Sequence, residues 1–201
     1  MSSVDIQNMS LYKECVENSN DVILSIDIGK KNLGYTIFKI NEHFEFGIFN
    51  ITQKLKEYKL TENMEGRNKV LIEWLKKIVE LHQINHIVVE KQVISNVVAM
   101  CLQSAIMAFS ITMGIKVEVF DPKRKFTVTN EKYNSSVKEH KKIVVRYAYN
   151  IIQKIDPSQI ESFLKYTKKD DISDSIVMAL MSNMAVNISN LSRIMKQLVT
   201  F

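Results

Sequence analysis

The chain is poor in the residues that mark secreted, membrane-spanning or low-complexity proteins. Its 201 residues include two cysteines, Cys15 and Cys101, too few and too unlike a framework for a disulfide-stapled secreted fold; Cys101 reads as a core residue. Four scattered histidines suggest no zinc site. Two prolines and five glycines leave little material for linkers, and no internal repeat is visible. The most apolar stretch, Val93 to Ile115, is interrupted by Ser95, Asn96, Gln103, Ser104, Ser110 and Thr112, short of the roughly 18 apolar residues a bilayer helix needs. Residues 1–20 carry Asp5 and no basic segment ahead of an apolar block, unlike a secretory signal. The expectation is an intracellular protein without a membrane span, built as an N-terminal arm over 1–20 and one domain over 21–201.

What is present is an ordinary globular composition, 46% hydrophobic and 24% charged, with a net charge of +5. Its excess of positive charge is focused. Between Asp121 and Arg146 stand Lys123, Arg124, Lys125, Lys132, Lys138, Lys141, Lys142 and Arg146 against Asp121, Glu131 and Glu139, while the rest of the chain balances. Such a segment is either a solvated lysine-rich loop or a surface for a polyanion. Tyr133 and Phe126, interleaved with it, are candidates to stack on bases.

Periodicity places strands at Val22 to Asp27, Gly34 to Ile40 and His43 to Asn50, joined by turns short enough for an antiparallel meander. Met64, Val70, Leu71, Trp74, Leu75, Ile78 and Val79 recur at helical spacing, which predicts a helix from Met64 to Leu81. Ile84 to Glu90 reads as a strand buried on both faces, and reaching it through a helix makes it parallel to an earlier strand. A helix over Val93 to Met113, a strand over Ile115 to Phe120, a loop over Lys123 to Lys138, a helix over Glu139 to Ile155 and a last helix from Asp171 to about Leu198, broken near Asn187, complete the chain. The order β-β-β-α-β-α-β-α-α describes an α/β mixed five-stranded sheet, three antiparallel strands then two parallel, with helices on both faces, the ribonuclease H-like arrangement.

That arrangement brings the ends of the first and fourth strands together. Asp27 closes the first, in Ser25-Ile-Asp27-Ile-Gly29, and Glu90 closes the fourth, in Val88-Val89-Glu90-Lys91-Gln92. A carboxylate ending a β-branched run is costly to bury unpaired, and a cation would remove the cost. Asp171 and Asp174 stand three apart at a helix start, so both project from one face. Each piece has a plain alternative: Asp27 as a turn residue, Asp171 as a helix cap. Four converging carboxylates would bind Mg²⁺ or Mn²⁺, with Asp27 best placed to bridge two ions about 3.5–4 Å apart for phosphodiester cleavage.

In order and spacing, Ser25-Ile-Asp27-Ile-Gly29 with Gly34-Tyr35, then Val89-Glu90-Lys91-Gln92, then Asp171-Ile-Ser-Asp174-Ser, the chain resembles the RuvC-type Holliday junction resolvases, and its wording resembles their poxvirus branch. The resemblance covers about Val22 to Met181. It implies a homodimeric endonuclease with two Mg²⁺ ions per active site, Mn²⁺ as a substitute, four-way DNA junctions as substrate and paired symmetric nicks as outcome. It also implies a role in viral DNA recombination and concatemer resolution in the host cytoplasm. Asp27, Glu90, Asp171 and Asp174 would be the metal ligands. A family lysine maps best to Lys141, with Lys142 beside it, where it would neutralise the scissile phosphate. Lys123, Arg124, Lys125, Lys132, Tyr133, Lys138 and Lys142 are the expected DNA contacts, and the apolar helix Val97 to Phe109 is the expected dimer surface or simply core. Where bacterial relatives carry a proline after the first aspartate, Ile28 stands here, which weakens any transfer of their sequence preference.

Three other readings compete. An actin-like ATPase opens with a similar strand and Asp-x-Gly, but needs a second lobe and a later phosphate loop that this length does not supply. A noncatalytic DNA-binding protein on the same fold has no use for four carboxylates. A nuclease acting on RNA or RNA/DNA hybrids is compatible with every motif.

Overall fold

The computed structural model describes residues 21–39, 42–127 and 137–184. Its centre is a five-stranded sheet in the order β3-β2-β1-β4-β5, formed by β1 (Ile23–Ile28), β2 (Asn32–Lys39), β3 (His43–Asn50), β4 (His86–Glu90) and β5 (Lys116–Phe120). β1 pairs antiparallel with β2, and β2 with β3, while β1–β4 and β4–β5 are parallel. This is the expected mixed sheet. The parallel pairs arise because each connection passes through a helix: α2 (Met64–His82) leads into β4 and α3 (Val97–Thr112) into β5.

Side-chain alternation divides the core in two. Leu24, Ile26 and Ile28 of β1, with Ile87 and Val89 of β4, face α2 and α3. Ile23 and Val88 face the opposite way, toward α5 (Val137–Ile155) and α7 (Lys169–Met184). Because successive strand side chains point to opposite faces, Asp27 shares the α7 side with Ile23, and Glu90 shares it with Val88.

The boundaries differ from expectation in instructive ways. The polar stretch after β3 opens with a short helix, α1 (Ile51–Glu57), whose Ile51 and Leu55 are buried and whose N-terminus is capped by Asn50; only two apolar residues mark it. α3 begins at Val97 rather than Val93, because Asn96 accepts the Ala99 N–H and caps it. A single helical turn, α4 (Arg124–Thr127), stands inside the segment expected as loop, and α6 (Ile160–Lys165) adds a short helix whose Phe163 is buried. The last helix starts at Lys169, not Asp171. Its expected continuation past Met184, the arm over 1–20, and Lys132 and Tyr133 lie outside the described residues, as do the side chains of Phe126 and Lys138. Cys101 is a half-exposed free thiol rather than a core residue. Among the described residues no helix is long and apolar enough to cross a membrane.

One glycine fixes the layer that matters. Gly34 pairs with Asp27 across β1–β2, and a Cβ built on it would stand 2.0 Å from the carbonyl oxygen of Asp171. Without a side chain there, the first turn of α7 rests directly on the sheet beside Asp27. One turn later the Thr36 and Ser175 hydroxyls, 2.8 Å apart and fully buried, tie the same two elements.

Candidate active site

The C-terminal ends of the parallel strands β1 and β4 and the N-terminal turns of α7 converge. Ile26 pairs with Val89, so Asp27 and Glu90 follow side by side, and α7 lays Asp174 over them. At the centre is Lys125 of α4, 2% exposed. Its ammonium donates to Glu90 Oε1 at 2.6 Å and to Asp174 Oδ1. Burial alone would lower the Lys125 pKa, but the charges of Asp174, Glu90 and Asp27 outweigh it and hold the ammonium protonated above its ordinary range. The sequence pattern marks Lys125 as one of several surface contacts for a polyanion; the fold instead makes it the internal counter-ion of the acidic cluster. Nothing in the basic run separates it from Lys123, because only the α4 turn, stacked on α7, aims it inward.

Burial and the neighbouring Glu90 and Asp174 charges push the Asp27 carboxyl well above the usual carboxylate range, and Lys125 only partly opposes them. Asp174 is raised as well, first by burial and then by Glu90, against the pull of Lys125. Crowded carboxylates of this kind retain a proton or attract a cation. Asp171, one turn before Asp174, is also raised, first by burial and then by the charge of Asp170. It does not join the Lys125 contacts. Among the described residues, no three of Asp27, Glu90, Asp171 and Asp174 bring ligand oxygens all within 4.8 Å of one another. The donor set is nevertheless all oxygen, partly shielded and short of positive charge, the chemistry that suits Mg²⁺ or Mn²⁺.

The other expected residues frame this cluster. Lys141, 57% exposed, reaches from α5 to pair with Asp170, which raises the lysine and, against the effect of burial, lowers the aspartate. Lys142 and Lys123 are exposed. Arg124 donates to Glu118 Oε1 and lies over the Phe120 ring, 4.5 Å from its centroid, so it is anchored to β5.

A five-stranded sheet in this order, three strands antiparallel and then two parallel, with helices on both faces, is the ribonuclease H-like fold. Solved structures agree on the fold. The yeast mitochondrial Holliday junction resolvase superposes with a TM-score of 0.63 over 94% of this chain and 92% of its own, at 18% identity. The fowlpox virus resolvase, solved with its substrate Holliday junction DNA, gives 0.56 over 83% and 99% at 19% identity, and Thermus thermophilus RuvC gives 0.58 over 84% and 96% at 13% identity. The family described as "Poxvirus A22 protein" matches residues 21–186, and the chain belongs to that family. No curated protein matches the sequence.

Proposed function

We propose that this protein is a metal-dependent endonuclease that resolves four-way DNA junctions by paired symmetric nicks. The observation that carries the reading is the convergence of Asp27, Glu90 and Asp174, from three separate elements, around one buried cation. Family membership supports it, as do the neighbouring folds whose names include junction resolvases. In this reading Asp27, Glu90, Asp171 and Asp174 would hold Mg²⁺, or Mn²⁺ in its place. Bound there, the ions supply a water activated at neutral pH and stabilisation of the leaving 3′ oxygen.

The chain's own residues do the rest. Lys125 keeps the carboxylates compensated through its contacts with Glu90 and Asp174, contacts that a metal held by the same oxygens would have to replace. Lys141, at the exposed rim beside Asp170, neutralises a backbone phosphate. Lys123 and Lys142, with Lys132, Lys138 and Tyr133, supply sequence-independent phosphate and base contacts. A homodimer would present two such centres to a substrate of matching two-fold symmetry. The exposed apolar side chains Val93, Ile94, Val97, Ile111 and Met113 at the two ends of α3 favour that surface for the dimer. Viral recombination and concatemer resolution in the host cytoplasm are the role that fits such an enzyme.

Incubation with Mg²⁺ and a synthetic four-way junction, a matched duplex or an RNA/DNA hybrid tests the reading. Paired nicks on the junction alone are expected; cleavage of the hybrid alone would reassign the enzyme to RNA-containing substrates.

A further inference from the structure

At the other end of the sheet, and on its other face, the fold gathers a second set of ligand-bearing side chains. His43 and Glu45 alternate on the edge strand β3, where His43 pairs with Lys39, the last residue of β2. That is the end where β1 begins, the far side of the sheet from Asp27. His82 is the last residue of α2. The three offer ligand atoms all within 4.8 Å of one another, the one group of three among the described residues to do so. Both imidazoles bring Nε2 near the same oxygen: His43 Nε2 is 3.4 Å and His82 Nε2 4.0 Å from Glu45 Oε2. The rings lie 5.1 Å apart, tilted by 39°.

Three further observations favour a cation over a simple polar contact. His43 Nε2 is shielded from solvent and has no hydrogen-bond partner, an arrangement that leaves a ring nitrogen without its ordinary satisfaction. The Tyr35 hydroxyl donates to Glu45 Oε1 at 3.3 Å, which orients the carboxylate and leaves Oε2 for the histidines, as outer-shell donors do around metal-bound carboxylates. Finally, the carboxyl end of α2 carries the negative end of its helix dipole. Ligands about 2.0–2.1 Å from a tetrahedral ion lie roughly 3.3–3.4 Å apart, so the His43–Glu45 edge already has that length.

We propose that His43, Glu45 and His82 form a transition-metal site of the Zn²⁺ class, separate from the acidic cluster, that clamps edge strand β3 to the end of α2. Two imidazoles and one carboxylate select Zn²⁺ and its neighbours over Mg²⁺, which prefers oxygen alone. Three protein ligands leave a fourth position for water or an outside ligand. The four histidines look scattered along the sequence because His82 reaches its partners only through the packing of α2 on the sheet.

The test uses the full chain, stripped with EDTA and then held in Mg²⁺ so that the acidic cluster is supplied. Zn²⁺ titration by calorimetry should show one saturable equivalent, Co²⁺ in its place should give a low-symmetry d–d spectrum, and Zn²⁺ should raise the melting temperature. His82→Ala and the half-exposed His43→Ala should each weaken Zn²⁺ binding by at least about tenfold and lose the thermal gain, with circular dichroism unchanged. Asp174→Asn and Cys101→Ser should bind Zn²⁺ as the wild type does. No saturable binding, equal binding in both histidine variants, or loss of binding in Asp174→Asn or Cys101→Ser would overturn the site.

Discussion

Lys125→Met in metal-free buffer is the perturbation whose size follows most directly from the structure. The lysine is 2% exposed and bridges Glu90 and Asp174; methionine keeps much of its stem volume and removes the charge. Taking one partner from a buried ion pair costs about 3–5 kcal/mol. Here the Glu90 and Asp174 side chains keep 18% and 25% exposure, so solvent screens part of the charge left behind. Asp27 and Asp174, already raised, can relieve more of it by taking up a proton. Both effects set the expected cost at the lower end, about 3 kcal/mol. In a domain of this size each kcal/mol moves the melting temperature by about 2–4 °C, so the variant should melt roughly 6–12 °C below the wild type in EDTA. Mg²⁺ should then recover the variant more steeply than it stabilises the wild type, because in the wild type it must displace the ammonium. Equal melting in EDTA, or equal Mg²⁺ gains, would refute the idea that Lys125 holds the cation's place.

Three other outcomes follow. Gly34→Ala would place a methyl 2.0 Å from the Asp171 carbonyl, so α7 must lift; a loss of about 1–3 kcal/mol in urea denaturation together with loss of cleavage is expected, and a stable, fully active variant would show that this seating does not position Asp174. Lys141→Ala removes an exposed ion pair and should change stability by less than about 1 kcal/mol while slowing cleavage, as rate assays beside denaturation curves would read. Asp27, with its folded pKa above its unfolded one, contributes stability that is present below about pH 4 and is lost as pH rises through the folded value, about 1.4 kcal/mol for each pKa unit. Metal-free Asp27→Asn should lack that slope, and an unchanged slope would remove Asp27 as its source.

Much of this was readable from residues alone because the strong signals were local. Ile-Val-Val ahead of Glu90 and the aliphatic run ahead of Asp27 mark buried strands, and their carboxylates face α7 by the simple alternation of a strand. The Asp171/Asp174 spacing likewise needs nothing beyond the helix. What stayed hidden depends on packing between distant elements. Lys125 looks like its neighbours until the Arg124–Thr127 turn directs it inward, and His82 meets His43 and Glu45 only when α2 docks on the sheet. α1 and α6 leave no sequence signal because seven and six residues hold too little periodicity to stand out from polar loop. The placing of the carboxylates also depends on packing: Lys125 pairs with Glu90 and Asp174, while Asp171 sits a turn away among Asp170, Lys168 and Lys141.

Strand cleavage of branched DNA by the proposed Asp27 cluster is read most directly by comparing wild type and Asp27→Asn on one labelled four-way junction with Mg²⁺, scoring cut positions and binding together. Paired, symmetry-related nicks by the wild type and none by Asp27→Asn are expected, with junction affinity unchanged between them. Nicking that survives in Asp27→Asn, or a variant that loses junction binding along with cleavage, would contradict it.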